Sequence, residues 1–452
     1  MNGLRRAILA AWLCLSAGAA LAEPRASTFT LDNGLQVVVI PDHRVPVVTH
    51  MVWYRTGAAD DPWGHSGIAH FLEHLMFKST NKLKSGDFTR TITRFGGRDN
   101  AATAHDTTSY FQRVAKEHLR TVMELEADRM VNLRLVAEEV DIERSVVQEE
   151  RRSTIDGVPL AVLSEQMLAV LYHNHPYGRP ALGWAHEIAK FTRADAVAFY
   201  QRSYAPNNAL VVVAGDVTVD EVRPLAQATY GVNKPNPEAI RRPRATEPAP
   251  TVARRVTLED ARTGPPVLVR FYDVPSFFSA SAGEGESLDL LAHIIGGDDT
   301  SRLYRHFVAG GLAATAGTTY LGNPRDSGRL AFIMIPSQSV PIDQVEAALD
   351  VILDDMRKNG VKLDEFERAK SSLETRRIFE SDNQLTLARR YGEGLAIGRS
   401  IADIESVPQR IRDVSLETVN RVAQRFLVSE RSVTGILKYS TGKTTTPVAK
   451  SP

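Results

Sequence analysis

The chain has 452 residues, 43% of them hydrophobic, and its 54 basic residues balance 54 acidic ones. Neutrality without a basic block gives no electrostatic case for nucleic acid or an anionic membrane as partner. One cysteine, Cys14, excludes a disulfide framework and a Cys-ligated zinc site, so any metal must be held by His and carboxylate.

Arg5 and Arg6, the apolar run Ala7 to Leu21 and the small-residue site Ala20-Leu21-Ala22 predict a secretory signal cleaved after Ala22. The run is too short and too rich in small residues for a membrane span. No later segment is long and apolar enough to be one. Leu13 is too bulky for a lipoprotein cleavage box ahead of Cys14, so the mature chain carries no thiol. The expectation is an exported, periplasmic protein with enough chain left for two or three domains.

Phe29 to Leu31, Asp32-Asn33-Gly34 and Leu35 to Ile40 predict a hairpin, with Asn-Gly supplying positive φ angles. Val45 to Tyr54 reads as a strand, and the chain then enters Gly67-Ile68-Ala69-His70-Phe71-Leu72-Glu73-His74-Leu75-Met76. At helical spacing Ile68, Phe71, Leu72, Leu75 and Met76 form an apolar stripe, with His70, Glu73 and His74 opposite. No Lys, Arg or Asp shares the polar side, which predicts a buried helix lining a small cavity. Two imidazoles at i and i+4 can hold one Zn²⁺, and a carboxylate at i+3 is close enough to take a proton from a water beside it. This is the inverted H-x-x-E-H pattern. An unmetallated polar cluster is the alternative, and it would be costly to bury.

Gly86 to Arg94 predicts a helix. Asn100 to Phe111 reads as two small-residue strands whose backbone is open either to an extended peptide or simply to solvent. A helix over Glu117 to Arg129 precedes a second from about Glu138 to Ser153, where Ile142, Val146 and Val147 are expected to face the core and Arg144, Glu149, Arg151 and Arg152 to lie off it. Glu143 and Glu150 bracket that stripe, paired either with a cation or with Arg at a polar rim. His173-Asn174-His175-Pro176 reads as a turn rather than a ligand pair. Thr192 is a helix cap, and Ala209 to Ala214 a strand. Asn233 to Pro250, with five prolines among Arg241, Arg242 and Arg244, reads as an extended linker.

Beyond the linker the pattern recurs. Ile411 to Leu437 superposes on Ile188 to Ala214 at one offset of 223 residues, Ser415 falling on Thr192, while Gly296 and Gly297 fall where Glu73 and His74 would be. This predicts an α+β chain of two homologous α/β-sandwich domains, the second without metal chemistry. The expected boundaries are 1–22 signal peptide, 23–232 first domain, 233–255 linker, 256–440 second domain and 441–452 tail.

Together, His70 to His74, Gly96-Gly97 to Asn100-Ala101, Thr103, Asp106, Thr108, Tyr110, Glu143-Arg144 to Glu150 and His175-Pro176-Tyr177-Gly178-Arg179-Pro180 make this chain resemble the pitrilysin and mitochondrial-processing-peptidase family of zinc peptidases. The resemblance covers essentially the whole mature chain. It implies that His70, His74 and Glu150 bind one Zn²⁺, that Glu73 is the general base, and that Glu143 supports the ligands. It also implies that Asn100, Ala101, Ala102 and Thr103 belong to an edge strand holding the peptide extended. It implies, too, that the two domains form half of a clam-like chamber. Active relatives carry an Arg and a Tyr seven residues apart near a sequence like Ser301 to Tyr304; here, with a one-residue gap in the alignment, those positions fall on Val308 and Ala314. The expectation is the zinc-bearing subunit of a dimer, a heterodimer with a homologous chain favoured over a homodimer, cleaving peptides or unfolded segments. The rival is a zinc-stabilised scaffold or peptide-binding subunit without turnover. Two His and one carboxylate suit zinc better than Mn²⁺.

Overall fold

The computed structural model describes residues 25–239 and 243–440. The expected signal peptide, Cys14, Arg241, Arg242 and the 441–452 tail lie outside the described residues. Among the described residues no single helix is long and apolar enough to cross a membrane.

The first sheet draws on β1 (Ser27–Thr30), β2 (Gln36–Pro41), β3 (Val47–Tyr54), β4 (Arg98–Thr103), β5 (Thr108–Ala115) and β6 (Ala209–Gly215), in the order β1-β2-β6-β3-β5-β4. Its connections hold α1 (Ile68–Leu75), α2 (Asp87–Arg94), α3 (Leu119–Asn132), α4 (Ala137–Arg151), α5 (Pro159–Leu171), α6 (Ala185–Ile188) and α7 (Arg193–Ser203), and α8 (Val219–Thr229) follows. The second sheet, ordered β7-β11-β8-β10-β9, draws on β7 (Arg254–Glu259), β8 (Val267–Val274), β9 (Ala313–Leu321), β10 (Gly328–Pro336) and β11 (Ser432–Lys438). Its helices are α9 (Glu284–Gly296), α10 (Ile342–Asn359), α11 (Leu363–Asp382), α12 (Gln384–Ile397), α13 (Ile401–Glu405), α14 (Val407–Asp413) and α15 (Leu416–Phe426).

The duplication is visible in the pairing. In each sheet one parallel pair, β2 with β6 and β7 with β11, is followed by antiparallel neighbours in the same order. Both α15 and β11 start 223 residues after their counterparts α7 and β6. The helix matching α1 is α9, which starts from left-handed Gly283 as α1 starts from left-handed Gly67.

Each half lends the other a helix. β6 is buried along its whole length because helices cover both faces, hence the unbroken run Ala-Leu-Val-Val-Val-Ala. One cover is α12, from the second half, whose Ala388, Tyr391 and Leu395 pack on Val38, Met51, Trp53 and Val212. In return α5 sets Leu163, Met167 and Leu171 on Val267, Val269, Phe271 and Val433. Glycine permits both approaches: a Cβ at Gly392 would meet the Trp53 indole at 2.1 Å, and one at Gly435 would meet the Met167 sulfur at 2.1 Å. The 93° bend that sends α5 across follows Gly157 and places Pro159 at the first helical position.

Three expectations change. In the first hairpin only Gly34 takes positive φ; Asn33 instead uses its side chain, accepting the Leu35 N–H and donating to the Tyr230 carbonyl. On α4 the buried stripe is Val140, Glu143, Val147 and Arg151, while Ile142 and Val146 are exposed. The face turned to α1 carries the charges that α1 needs, so an apolar-stripe argument picks the wrong side. Within the linker the side chain of Arg244 is turned inward rather than solvated, and Glu247 accepts the N–H groups of His173, Asn174 and His175 at 2.8–2.9 Å.

Candidate metal centre

At eight residues α1 is too short to be stable alone, so packing and its two ends hold it. Phe71, Leu72 and Leu75 are fully buried in the first core. At the N-terminus Asp61 accepts the N–H groups of Gly67 (2.7 Å) and Ala69 (3.1 Å), supplying partners the helix itself lacks. Burial pushes the Asp61 carboxyl up to about 8, against the two N–H groups that favour its anion. At the other end the buried Arg129, paired with Glu126 and stacked on Phe88 and Tyr110, donates to the Met76 carbonyl. Acceptor oxygens at the start and a positive group at the end both suit the helix dipole.

His70 and Glu73 are buried, and His74 is one-fifth exposed. The His70 Nε2 lies 3.6 Å and the His74 Nε2 3.1 Å from Oε2 of Glu150, which comes from the last turn of α4. Ligand atoms of these three residues all lie within 4.8 Å of one another, the one such group of three among the described residues. Tetrahedral zinc with bonds of about 2.0–2.2 Å separates its ligand atoms by roughly 3.3–3.6 Å. Glu150 Oε2 is buried without a hydrogen-bond donor, an orphan that a cation would satisfy. The three residues therefore fit a metal ion.

The surroundings are built to match. Burial, with His74 beside it, lowers the His70 imidazole to about 3, which keeps it in the neutral form a metal requires. His74 Nδ1 donates to Glu143 Oε1 at 2.8 Å, leaving Nε2 free to face Glu150. Burial alone would lower His74, but Glu143 and Glu150 outweigh it and raise the group. Glu143 also pairs with Lys78; burial raises its carboxyl, and the hydrogen bonds from His74 and Lys78 more than offset this. Glu73 is raised by burial, partly opposed by the Thr103 hydroxyl, which donates to its Oε2 at 2.6 Å.

Thr103 ends β4, the outermost strand, which pairs with β5 alone among the described residues. Asn100 and Ala102 are exposed, Ala101 and Thr103 half-buried, as alternation requires. Of the four strand residues named from sequence, Thr103 alone has its side chain hydrogen-bonded to the histidine helix.

His175 caps the turn Pro176–Gly178 by accepting the Tyr177 N–H, a structural role as expected. Arg302 is held by Glu365 and Asp355. Val308 and Ala314 offer no polar side chain. Sequence reasoning missed Asp61, Lys78 and Arg129, none of which sits at a motif spacing. It also placed Arg151 off the buried face, where it pairs with Glu165 at 2.7 Å.

Two family models cover most of the chain: Insulinase (Peptidase family M16) matches residues 36–184, and Peptidase M16 inactive domain matches residues 190–373. The chain belongs to peptidase family M16. The M16 relatives include the Helicobacter pylori zinc protease PqqE, 29% identical over 92% of this chain and 93% of that protein. An uncharacterized zinc protease of Mycobacterium leprae is 30% identical over 92% of each. The beta subunit of the mitochondrial-processing peptidase of Blastocladiella emersonii is 26% identical over 91% of this chain and 88% of that one. Among solved M16 structures, a protease from Helicobacter pylori superposes with a TM-score of 0.87 at 29% identity, covering 92% of this chain and 99% of that one. The first half of PqqL from Escherichia coli shares the fold, with a TM-score of 0.78 at 21% identity over 92% of each chain.

Proposed function

We propose that this M16 chain is a zinc metalloendopeptidase hydrolysing peptides or unfolded polypeptide segments. The observation that carries the reading is the meeting, on one short helix, of a metal-ligand set, a buried carboxylate at i+3 of the first histidine, and a hydroxyl from a free strand edge. His70 and His74 through Nε2 and Glu150 through Oε2 would hold the ion. Zinc, when bound, supplies a Lewis acid that polarises the scissile carbonyl and acidifies a water. Glu73 takes the proton of the attacking water and delivers it to the leaving amine; burial, by raising its pKa, suits it to both transfers. Glu143 fixes the His74 tautomer, and Lys78 keeps Glu143 anionic. The unpaired edge of β4, residues Asn100, Ala101, Ala102 and Thr103, hydrogen-bonds the substrate backbone in extended form.

We read the chain as one subunit of a dimer, with a homologous but different partner that supplies the Arg and Tyr absent at Val308 and Ala314. The 26% identity to a processing-peptidase beta subunit supports this. The N-terminal signal pattern supports export to the periplasm, with domains over 23–232 and 256–440.

The test is zinc content and cleavage of a quenched unstructured peptide by the mature chain, alone and mixed with candidate homologous chains, with Glu73→Gln alongside. One zinc per chain, turnover in a mixture and none for Glu73→Gln with zinc retained is the expected result. Full turnover by a monodisperse monomer removes the heterodimer. Zinc without turnover in any pairing leaves a scaffold instead of an enzyme.

A further inference from the structure

A cation from the linker joins the two halves. Arg244 is 8% exposed, and its guanidinium meets three carboxylates from three places in the chain. Nη2 donates to both oxygens of Asp60 at 3.2 and 3.3 Å, and Nη1 donates to Asp326 at 2.9 Å and to Asp106. Asp326 belongs to the β9–β10 loop of the second half; Asp60 and Asp106 belong to the first. Other donors satisfy the surplus negative charge. Tyr177 donates its hydroxyl to Asp106, the Arg325 N–H donates to Asp106 at 2.9 Å, and His175 Nε2 donates to Asp326 at 3.2 Å. A planar fork with donors on both edges can serve three carboxylates at once; an ammonium cannot do so with the same geometry.

What the carboxylates belong to gives the cluster its consequence. Asp106 lies in the turn between β4 and β5, three residues from Thr103. Asp60 precedes Asp61, which caps the histidine helix. The same two segments also touch through backbone, Ala58 N–H to the Ala104 carbonyl at 2.9 Å and Ala59 N–H to the His105 carbonyl at 2.8 Å. Gly57 makes that approach possible, since a Cβ there would lie 2.3 Å from the Ala104 carbonyl.

We propose that Arg244 is a positioning residue for the peptide-binding edge: from the linker it fixes the β4–β5 turn against the segment leading into the histidine helix and ties both to the second half. This rests on the peptidase reading, in which β4 receives the substrate. Without the guanidinium the turn loosens, and each incoming peptide must order it before pairing, which weakens binding but leaves the chemistry of a bound peptide intact.

The experiment compares the full mature chain with Arg244→Gln and Arg244→Lys, using the quenched peptide with whatever partner wild-type turnover requires, and amide hydrogen exchange on the chain itself. The expected result is unchanged zinc per chain, exchange about ten-fold faster over residues 98–108 with the second core unaffected, KM raised about ten-fold and kcat per zinc within about two-fold. Arg244→Lys falls between, and it decides the matter if Arg244→Gln does not fold. Unchanged exchange at 98–108 in a folded variant overturns the proposal, as does exchange that rises equally through both cores. If the wild type has no turnover, the peptidase reading fails while the exchange arm still decides whether Arg244 holds the edge.

Discussion

The Thr103 hydroxyl donates to Oε2 of Glu73 at 2.6 Å, so the strand edge that would carry the substrate is bonded to the carboxylate that would move its proton. This contact leaves Glu73 with one oxygen committed and one free. Replacing Thr103 with Val removes the donor at nearly constant volume and lets the carboxylate rotate. We expect kcat to fall about ten-fold with zinc content unchanged, and Thr103→Ser to restore most of it. Steady-state kinetics on the three proteins checks this; equal loss in the Ser variant would mean that the methyl group, not the hydroxyl, matters.

Glu143 binds His74 through its outer nitrogen, Nδ1, and pairs with Lys78 through its other oxygen. Glu143→Gln keeps the shape but removes the charge that orients and strengthens the imidazole. Zinc affinity should drop by about 10–100-fold, read by competition with a chromophoric chelator. An unchanged affinity would leave Glu143 as a partner of Lys78 alone.

The Asp326 carboxyl is held down at about 2: burial opposes the shift, but the His175 hydrogen bond and the Arg244 charge outweigh it. A depressed folded pKa gives stability that is present above the ordinary carboxylate range and lost as pH falls towards 2. Discounted for its partial exposure, the contribution is about 1–2 kcal/mol. Urea midpoints between pH 5 and 2.5 should therefore fall less steeply for Asp326→Asn than for the wild type, and parallel curves would refute the assignment.

Met167 is fully buried where α5 of the first half lies on β11 of the second, over Gly435. Met167→Ala leaves a void that the rigid strand cannot fill, at a cost of about 2–5 kcal/mol. Denaturant unfolding followed through both halves should show a lower midpoint throughout. A drop confined to one half would mean the lent helix does not couple them.

The histidine helix was legible because its chemistry is local: His70, Glu73 and His74 have meaning at helical spacing, whichever way the rest of the chain runs. The strands on either side were legible from alternation and turn residues. The exposed Ile142 and Val146 and the buried Arg151 were not, because which face of α4 is inside depends on what α1 presents to it. Arg244 was hidden for a similar reason. In a proline-rich stretch an arginine looks solvated until three distant carboxylates are seen to converge on it.

By itself the sequence determined the H-x-x-E-H helix, the Glu150 helix that follows it, and the duplication at 223 residues, since each is written in short-range periodicity or in repetition of it. Only the tertiary structure decided that Glu150 reaches His70 and His74, that Thr103 reaches Glu73, that α5 and α12 change partners, and that Arg244 joins the halves. Those contacts span from 30 residues to more than 100, and side chains that far apart in the chain meet only where the packing of whole sheets and helices brings them together.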